Sequence, residues 1–540
     1  MPQAISTLKE IVEHSFLKYR EHNAFQIKRN NLYRQYSFDL AYELISSLAE
    51  ELKNKGIHSG DRVAILSENR PEWGIAYLAL ACMGAVAVPL DAMLITEEIH
   101  NLLADSGSKV IIISKALAER HPALNLTKIL MEEAENFKGA TSLPSVEIKK
   151  DDLAAIVYTS GTTGIPKGVM LTHGNIVSNI LGIARIFDIG PGDNFLSVLP
   201  MHHTFETTAG FLGPFYMGAC ITFAESLKSY NIVKNMSETG VTIMCGVPLL
   251  WNLFYDAILR EVEEKGWIAR SLFASLTSLA RSLPPEPIRR KLFTPVHKKM
   301  GGKIRFFVSG GAAIDPEIIY GFGLFGITIL QGYGLTESAP ILTCCTLKRN
   351  RIGSVGRALQ DVEIKITSEG EIIARGPNIM KGYYKRPDLT AEVLKGGWLY
   401  TGDVGRIDKE GYVFITGRIK DIIVTGSGVN VYPDEVEFFL NKLPGIKESC
   451  VLGVKVAEGP RRGMEEVWAI VVPDYEYFKK HRKHADQALV EGAIQEEVAR
   501  LNQRLAEYKR VAKLKIRSIE LPKTTTRKVR RFQVRKEMGL

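Results

Sequence analysis

Ten residues, Thr159-Ser-Gly-Thr-Thr-Gly-Ile-Pro-Lys-Gly168, follow directly on an apolar run, Leu153-Ala-Ala-Ile-Val-Tyr158. The run has the length and composition of a buried strand, and it feeds straight into a Gly/Thr-rich turn. Gly161 and Gly164 permit close backbone approach, while Thr159, Ser160, Thr162 and Thr163 offer hydroxyl donors. Lys167 adds positive charge, and the set suits a nucleotide polyphosphate. No G-K-[ST] stands at the spacing of a Walker A loop, which disfavours a P-loop phosphotransferase. A plain Gly-rich turn is the bland alternative, and the order of ten specific residues weighs against it.

The segments before this loop alternate between helical and strand patterns. Ser37 followed by Leu40, Leu44, Leu48 and Leu52, with Gly56 behind them, predicts a capped amphipathic helix. Arg62–Leu66 and Val110–Ser114 read as short buried strands. Such alternation predicts a layered α/β architecture with largely parallel sheets. Trp73 to Leu90 carries no charge, yet its Ala and Gly content and Pro89 predict a buried helix running into a buried strand rather than a membrane span.

From Val355 to Ile415 the texture changes. Val362–Ile366, Glu371–Ala374 and Tyr412–Ile415 alternate and are broken by Gly, which predicts a small antiparallel β region. Beyond about Lys420 separate strand and helix patterns return, at Val467–Val472 and near Glu491 to Glu507. With 540 residues the chain exceeds one ordinary core. We therefore expect a large N-terminal α/β domain over 1–419, including the β region, and a small α+β C-terminal domain over 420–540.

The N-terminus lacks the basic start and apolar core of a signal peptide. The six cysteines show no metal-type spacing with His, so zinc is not expected, and they suit a reducing cytoplasm. Charge is uneven. Leu501 to Leu540 holds 13 Lys/Arg against 3 Asp/Glu, whereas the preceding 500 residues hold 56 against 57. The basic tail is either a solvated face or a surface for polyphosphate or anionic lipid. No nucleic-acid motif accompanies it, so nucleic acid is not an expected partner.

Ser160-Gly-Thr-Thr-Gly-x-Pro-Lys-Gly168 resembles the phosphate loop of the adenylate-forming superfamily, which includes acyl-CoA synthetases, nonribosomal peptide adenylation domains and luciferases. Further segments match in order: Gln331-Gly-Tyr-Gly-Leu-Thr-Glu337, Trp398–Asp403, Gly417-Arg-Ile-Lys-Asp421 with Asn430–Glu437, and Leu521–Lys528. The resemblance spans essentially the whole chain. It implies ATP, Mg²⁺ and CoA as reactants or cofactors, and a C-terminal domain that rotates between two half-reactions.

Carried onto this sequence, the resemblance gives each segment a role. Glu337 is the expected Mg²⁺ ligand, since Mg²⁺ takes one or two protein carboxylates beside phosphate oxygens. Thr336 would hydrogen-bond the α-phosphate. Tyr333, within Gln331, Gly332 and Gly334, would stack on adenine, and Ser309-Gly310-Gly311-Ala312 would border it. Asp403 would accept from the ribose hydroxyls, with Arg418 as a second ribose or phosphate partner. Lys528 would bridge the substrate carboxylate and the α-phosphate. The residue before it is Arg527 where the family has Gly, so Lys523 and Arg530 stand as alternatives. Lys420 occupies the hinge position, and rotation there would bring Gly426-Ser427-Gly428 to the site for CoA.

His203 matches the histidine near the acyl carbonyl, while His202 is assigned to packing. Gly246-Val247-Pro248 and Trp251 resemble the acyl pocket, with Trp251 either a gate residue of long-chain fatty acyl-CoA synthetases or a core tryptophan. The expected activity is AMP-forming activation of a fatty acid. An acyl carrier protein as acceptor, a decayed ligase site and a luciferase-like oxygenase are the alternatives. The protein is expected in the cytoplasm. Peripheral contact with the inner membrane surface would rest on the basic tail, since no amphipathic anchor helix stands out.

Overall fold

The uncharged segment at Trp73 folds into the helix Pro71–Cys82 and the strand Val86–Leu90, and every residue of both is buried. Pro71 opens the helix, where a missing N–H costs nothing. Gly74 lets the helix lie against Phe211, whose ring stands 2.5 Å from where a Cβ would be. The capped helix forms over Phe38–Asn54: the Ser37 hydroxyl accepts the Leu40 N–H at 3.1 Å. Leu44, Leu48 and Leu52 turn inward.

This computed structural model describes residues 5–134, 136–137, 139–160, 166–284, 287–425, 430–456, 458, 463–481, 486–524 and 529–540. The chain divides into two compact units. One comprises Met1–Ile364, Ala374–Leu399 and Lys409–Val413; the other comprises Lys365–Ile373, Tyr400–Asp408 and Phe414–Leu540.

Two large sheets build the first unit. The nine-stranded sheet runs in the order Arg357–Ala358, Ile341–Cys344, Thr328–Gly334, Phe306–Ser309, Ile243–Gly246, Asn194–Ser197, Cys220–Phe223, Asn23–Arg29, Leu32–Ser37. Its interior strands are parallel and its edges antiparallel. The seven-stranded sheet runs Gly382–Tyr383, Pro166–Thr172, Leu153–Ser160, Val86–Leu90, Arg62–Leu66, Val110–Ile113, Thr127–Leu130. One continuous core takes side chains from both sheets and from the helices between them.

The strand before the Gly/Thr-rich segment is followed by a second strand rather than a helix. Leu153–Ser160 pairs antiparallel with Pro166–Thr172, from Leu153 opposite Thr172 to Ser160 opposite Pro166. The two strands that flank the Gly/Thr-rich segment are therefore the arms of a β-hairpin.

The second unit contains a three-stranded sheet. Ile446–Lys455 pairs antiparallel with Glu465–Pro473, which pairs parallel with Lys513–Ile516. Val490, Ile494, Val498 and Leu501 of the helix Gln487–Arg504 pack into its core.

One helix of the first unit, Trp267–Ser282, is not among the elements named from the sequence. Phe273, Leu276 and Ala280 face the core, while Trp267, Ile268, Leu272 and Leu279 remain exposed. Ala269, Phe273, Leu276 and Ala280 recur at helical spacing, so the period of an amphipathic helix is present in this segment.

Candidate active site

Three parallel strands of the nine-stranded sheet end together. Gly246 registers with Ser309, and Ser309 with Gln331. The segments Gly246–Pro248, Gly310–Ala312 and Gln331–Gly334 thus meet at the carboxyl ends of neighbouring strands, where open α/β sheets bind ligands. The Gly310 N–H donates to the Gly246 carbonyl at 3.2 Å, tying the first two segments. Gly311 adopts φ +79°, which favours glycine. A Cβ at Gly246 would lie 2.5 Å from the Trp251 ring, and that indole is wholly buried and stacked on Phe307 with centroids 4.7 Å apart.

Glu337 sits in the short turn Thr336–Ser338 just beyond the last of these strands. Its Oε1 accepts a hydrogen bond from the Tyr383 hydroxyl at 2.8 Å, and its carbonyl accepts the Met380 N–H at 2.9 Å. Tyr383 lies on a two-residue strand paired with Pro166–Thr172, opposite Val169. The Lys167 ammonium stands 5.1 Å from the Tyr383 ring centroid. Burial, then the charge of Glu337, pushes the Tyr383 phenol well above its ordinary value, so it keeps its proton. Two buried amides brace the turn. Asn378 donates to the carbonyls of Ser338 and Ile341, each at 3.0 Å, and Asn179 donates to Ile341 at 2.9 Å.

His203 precedes a π-helical turn, Glu206–Leu212. Burial holds the His203 imidazole down at about 4, so it is neutral at physiological pH. His202 lies beside it with ring centroids 4.1 Å apart, and burial followed by His203 keeps it neutral too. Asn69 fixes the approach by donating to the Leu199 carbonyl at 2.6 Å and accepting the Met201 N–H at 3.1 Å. Phe205 packs its ring where a Cβ of Gly310 would be. Glu206 is fully buried, and burial raises its carboxyl to about 8 although the Ser197 hydroxyl opposes the shift. Thr208 donates to the Ala339 carbonyl at 3.2 Å, joining the π-turn to the Glu337 turn.

In the second unit Arg418 Nε lies 2.8 Å from Asp403 Oδ1. The turn that presents Asp403 is built from its neighbours. Thr401 donates to the Ile372 carbonyl at 2.6 Å and accepts the Asp403 N–H at 3.1 Å, while Glu371 accepts the Gly402 N–H at 2.8 Å. Lys420 falls in the turn Ile419–Asp421. Lys523 lies 2.6 Å from Glu448 and 3.4 Å from Glu520, and it bridges to Val529 across the segment that carries Lys528. Arg531 is held by Asp421 at 3.1 Å, by Glu437 at 2.7 Å and by Asp434.

Thr159, Lys167, His203, Gly246, Val247, Pro248, Trp251, Gly310, Gly311, Ala312, Gln331, Gly332, Tyr333, Gly334, Thr336 and Glu337 all belong to the first unit. Asp403, Arg418 and Lys420 belong to the second. Gly161, Thr162, Thr163, Gly164, Gly426, Ser427, Gly428, Arg527, Lys528 and the side chain of Ser160 lie outside the described residues. Sequence reasoning missed Tyr383, Glu371, Asn179 and Asn378, which act through contacts remote in sequence.

The AMP-binding enzyme family model matches residues 12–384, and that of the AMP-binding enzyme C-terminal domain matches 435–528. A feruloyl-CoA synthase of Amycolatopsis sp is 32% identical, covering 92% of each chain. A long-chain-fatty-acid–CoA ligase of Mycobacterium tuberculosis is 31% identical, covering 92% of this chain and 91% of its own. The o-succinylbenzoate coenzyme A synthetase of Bacillus subtilis, solved with ATP and a magnesium ion, superposes with a TM-score of 0.76 at 25% identity, over 97% of this chain and 99% of that one. Domain order, strand-end geometry and relatedness agree, and the chain belongs to the AMP-binding enzyme family, among its AMP-forming acyl-CoA ligases.

Proposed function

We propose that this ligase activates a medium- or long-chain fatty acid with ATP and passes the acyl group to CoA. The observation that supports a fatty acid is the apolar wall at the end of the Ile243–Gly246 strand, where Trp251 stacks on Phe307 beside Val247 and Pro248. A buried alkyl chain gains about 0.8 kcal/mol per CH₂ against such a wall. The feruloyl-CoA synthase relative favours a second reading, a hydroxycinnamic acid.

In the first step a carboxylate oxygen attacks the α-phosphorus and pyrophosphate leaves. Thr336 and Lys528 would neutralise the charge on the α-phosphate, while neutral His203 would orient the acyl carbonyl. Glu337 fits Mg²⁺, because Tyr383 occupies Oε1 and Oε2 makes no hydrogen bond among the described residues. Bound there with the nucleotide, the ion would supply electrostatic stabilisation of the phosphate oxygens. In the second step the CoA thiol attacks the acyl carbon and AMP departs. We assign Lys420 as the hinge, dividing 1–419 from 420–540, and Gly426–Gly428 as the CoA loop. We place the reaction in the cytoplasm, in keeping with six unpaired cysteines. An acyl carrier protein or membrane lipid would draw on the basic surplus of 501–540.

The test is an incubation with ATP, Mg²⁺, CoA and acids from acetate to oleate, with benzoate and ferulate alongside. AMP and acyl-CoA peaking at one chain length support the fatty acid reading. A peak at ferulate replaces it with the second, and AMP without thioester moves the acceptor to a carrier protein.

A further inference from the structure

His202, expected as packing, faces a charge: its Nε2 lies 3.6 Å from Oδ2 of Asp91, and the two side chains are only 11% and 18% exposed. Asp91 is itself clasped in a turn. Its Oδ1 accepts the Met93 N–H at 2.9 Å, and its carbonyl accepts the Leu94 N–H at 3.2 Å. A carboxylate tied to its own turn has little freedom to swing away, so Oδ2 stays directed at the imidazole. Asp91 follows the strand Val86–Leu90 of the seven-stranded sheet, whereas His202 follows the strand Asn194–Ser197 of the nine-stranded one. Asn69, which follows Arg62–Leu66 of the seven-stranded sheet, makes the same crossing and donates to the Ser197 hydroxyl at 3.0 Å.

The same imidazole packs on His203, with ring centroids 4.1 Å apart and planes inclined by 44°. The His203 main chain is pinned. Its N–H donates to the Pro200 carbonyl at 3.0 Å, and its carbonyl accepts the Thr207 N–H at 3.0 Å and the Thr207 hydroxyl at 3.1 Å. With the backbone fixed, the freedom left to His203 lies in its side-chain torsions, and the His202 ring limits them. The chemistry of Asp91 suits that task. A carboxylate only accepts, so it selects the His202 tautomer with its proton on Nε2; an asparagine could turn its amide NH₂ to the ring and select the other. Burial, then His203, keeps the His202 imidazole neutral, so the two rings pack without charge repulsion.

We propose that Asp91 and His202 form a positioning pair that holds the His203 ring toward the acyl carbonyl. A loop of the seven-stranded sheet then sets the acyl geometry of the nine-stranded one. The pair rests on the role given to His203 above and deepens it, since Asp91 and His202 act through His203 and not on the substrate. Two grips of different kinds support it. Asn69 holds the main chain of residues 199–201, and Asp91 holds the ring that follows.

Acid-dependent exchange of pyrophosphate into ATP, with the best acid of the panel above, tests this. Asp91→Asn and His202→Gln should each lower kcat for exchange on the order of tenfold while the KM for ATP holds. The double variant should be no slower than the slower single one, because the two act as a unit. In a His203→Ala background, Asp91→Asn should cost less than about twofold, its effect passing through a ring that is no longer there. Equal slowing by Asp91→Asn in both backgrounds would reveal general distortion and overturn the proposal. So would an Asp91→Asn enzyme as fast as the wild type beside an impaired His203→Ala. A His203→Ala enzyme as fast as the wild type is a different failure: it strikes the role of His203 itself, and the pair falls with it.

Discussion

The Tyr383 hydroxyl donates to Glu337 at 2.8 Å while the Lys167 ammonium lies 5.1 Å from the same ring. One phenol thereby joins the strand Pro166–Thr172 to Glu337, the carboxylate we propose for Mg²⁺. Tyr383→Phe keeps the ring and removes the donor. We expect kcat/KM for adenylate formation to fall on the order of tenfold, a hydrogen bond to a charged group contributing about 1.5–3 kcal/mol. The Mg²⁺ concentration needed for half-maximal rate should shift. An unchanged Mg²⁺ requirement would sever Tyr383 from the metal.

Arg531 meets Asp421, Asp434 and Glu437 with its guanidinium mostly buried. It anchors the chain three residues past Lys528 to Asp421, the residue after Lys420. Arg531→Met leaves the carboxylates without their cation, a loss of about 3–5 kcal/mol. Hydrogen exchange in the helix Pro433–Leu440 should accelerate, while the first unit keeps its protection. Uniform protection in both units would contradict the assignment.

Glu206 imposes a pH dependence. Its carboxyl titrates near 8 when folded, against an ordinary value of 4.5, because burial disfavours the charge. The folded protein therefore holds a proton that the unfolded chain releases, and stability falls as pH rises from 4.5 to about 8. The slope from this group is at most about 1.4 kcal/mol per pH unit. Glu206→Gln should flatten that decline in denaturant titrations; an identical pH slope in the variant would rule the group out.

Gly246→Ala tests the acyl wall. The new methyl would meet the Trp251 ring at 2.5 Å, and the indole is backed by Phe307. The KM for the acid should rise on the order of tenfold, overpacking costing about 1–3 kcal/mol, while the KM for ATP stays put. Equal changes in both constants would indicate a general distortion.

Legibility followed the range of the interaction. The Ser37 cap and the Trp73–Leu90 segment were readable because their signals lie within a few residues. Asp403 and Arg418 were nominated by separate segments, and they fold to a 2.8 Å pair. Tyr383, Asn378 and Glu371 carry no local signature, since their partners lie tens of residues away or more. The hairpin closure was hidden for a related reason. An apolar strand before a Gly-rich turn looks the same whether a helix or a returning strand follows, and only the pairing of Leu153–Ser160 with Pro166–Thr172 distinguishes them.

That closure has a consequence for how nucleotide binding is felt. A phosphate held at a helix start draws on the macrodipole and presses along one rigid axis. Here the hairpin's two arms continue into the seven-stranded sheet, next to Val86–Leu90 on one side and Gly382–Tyr383 on the other. A polyphosphate bound at the Gly/Thr-rich segment, as we propose, would load paired strands in shear, sharing the force among ladder bonds as far as the strand that bears Tyr383. The sheet, rather than a helix axis, would carry that load.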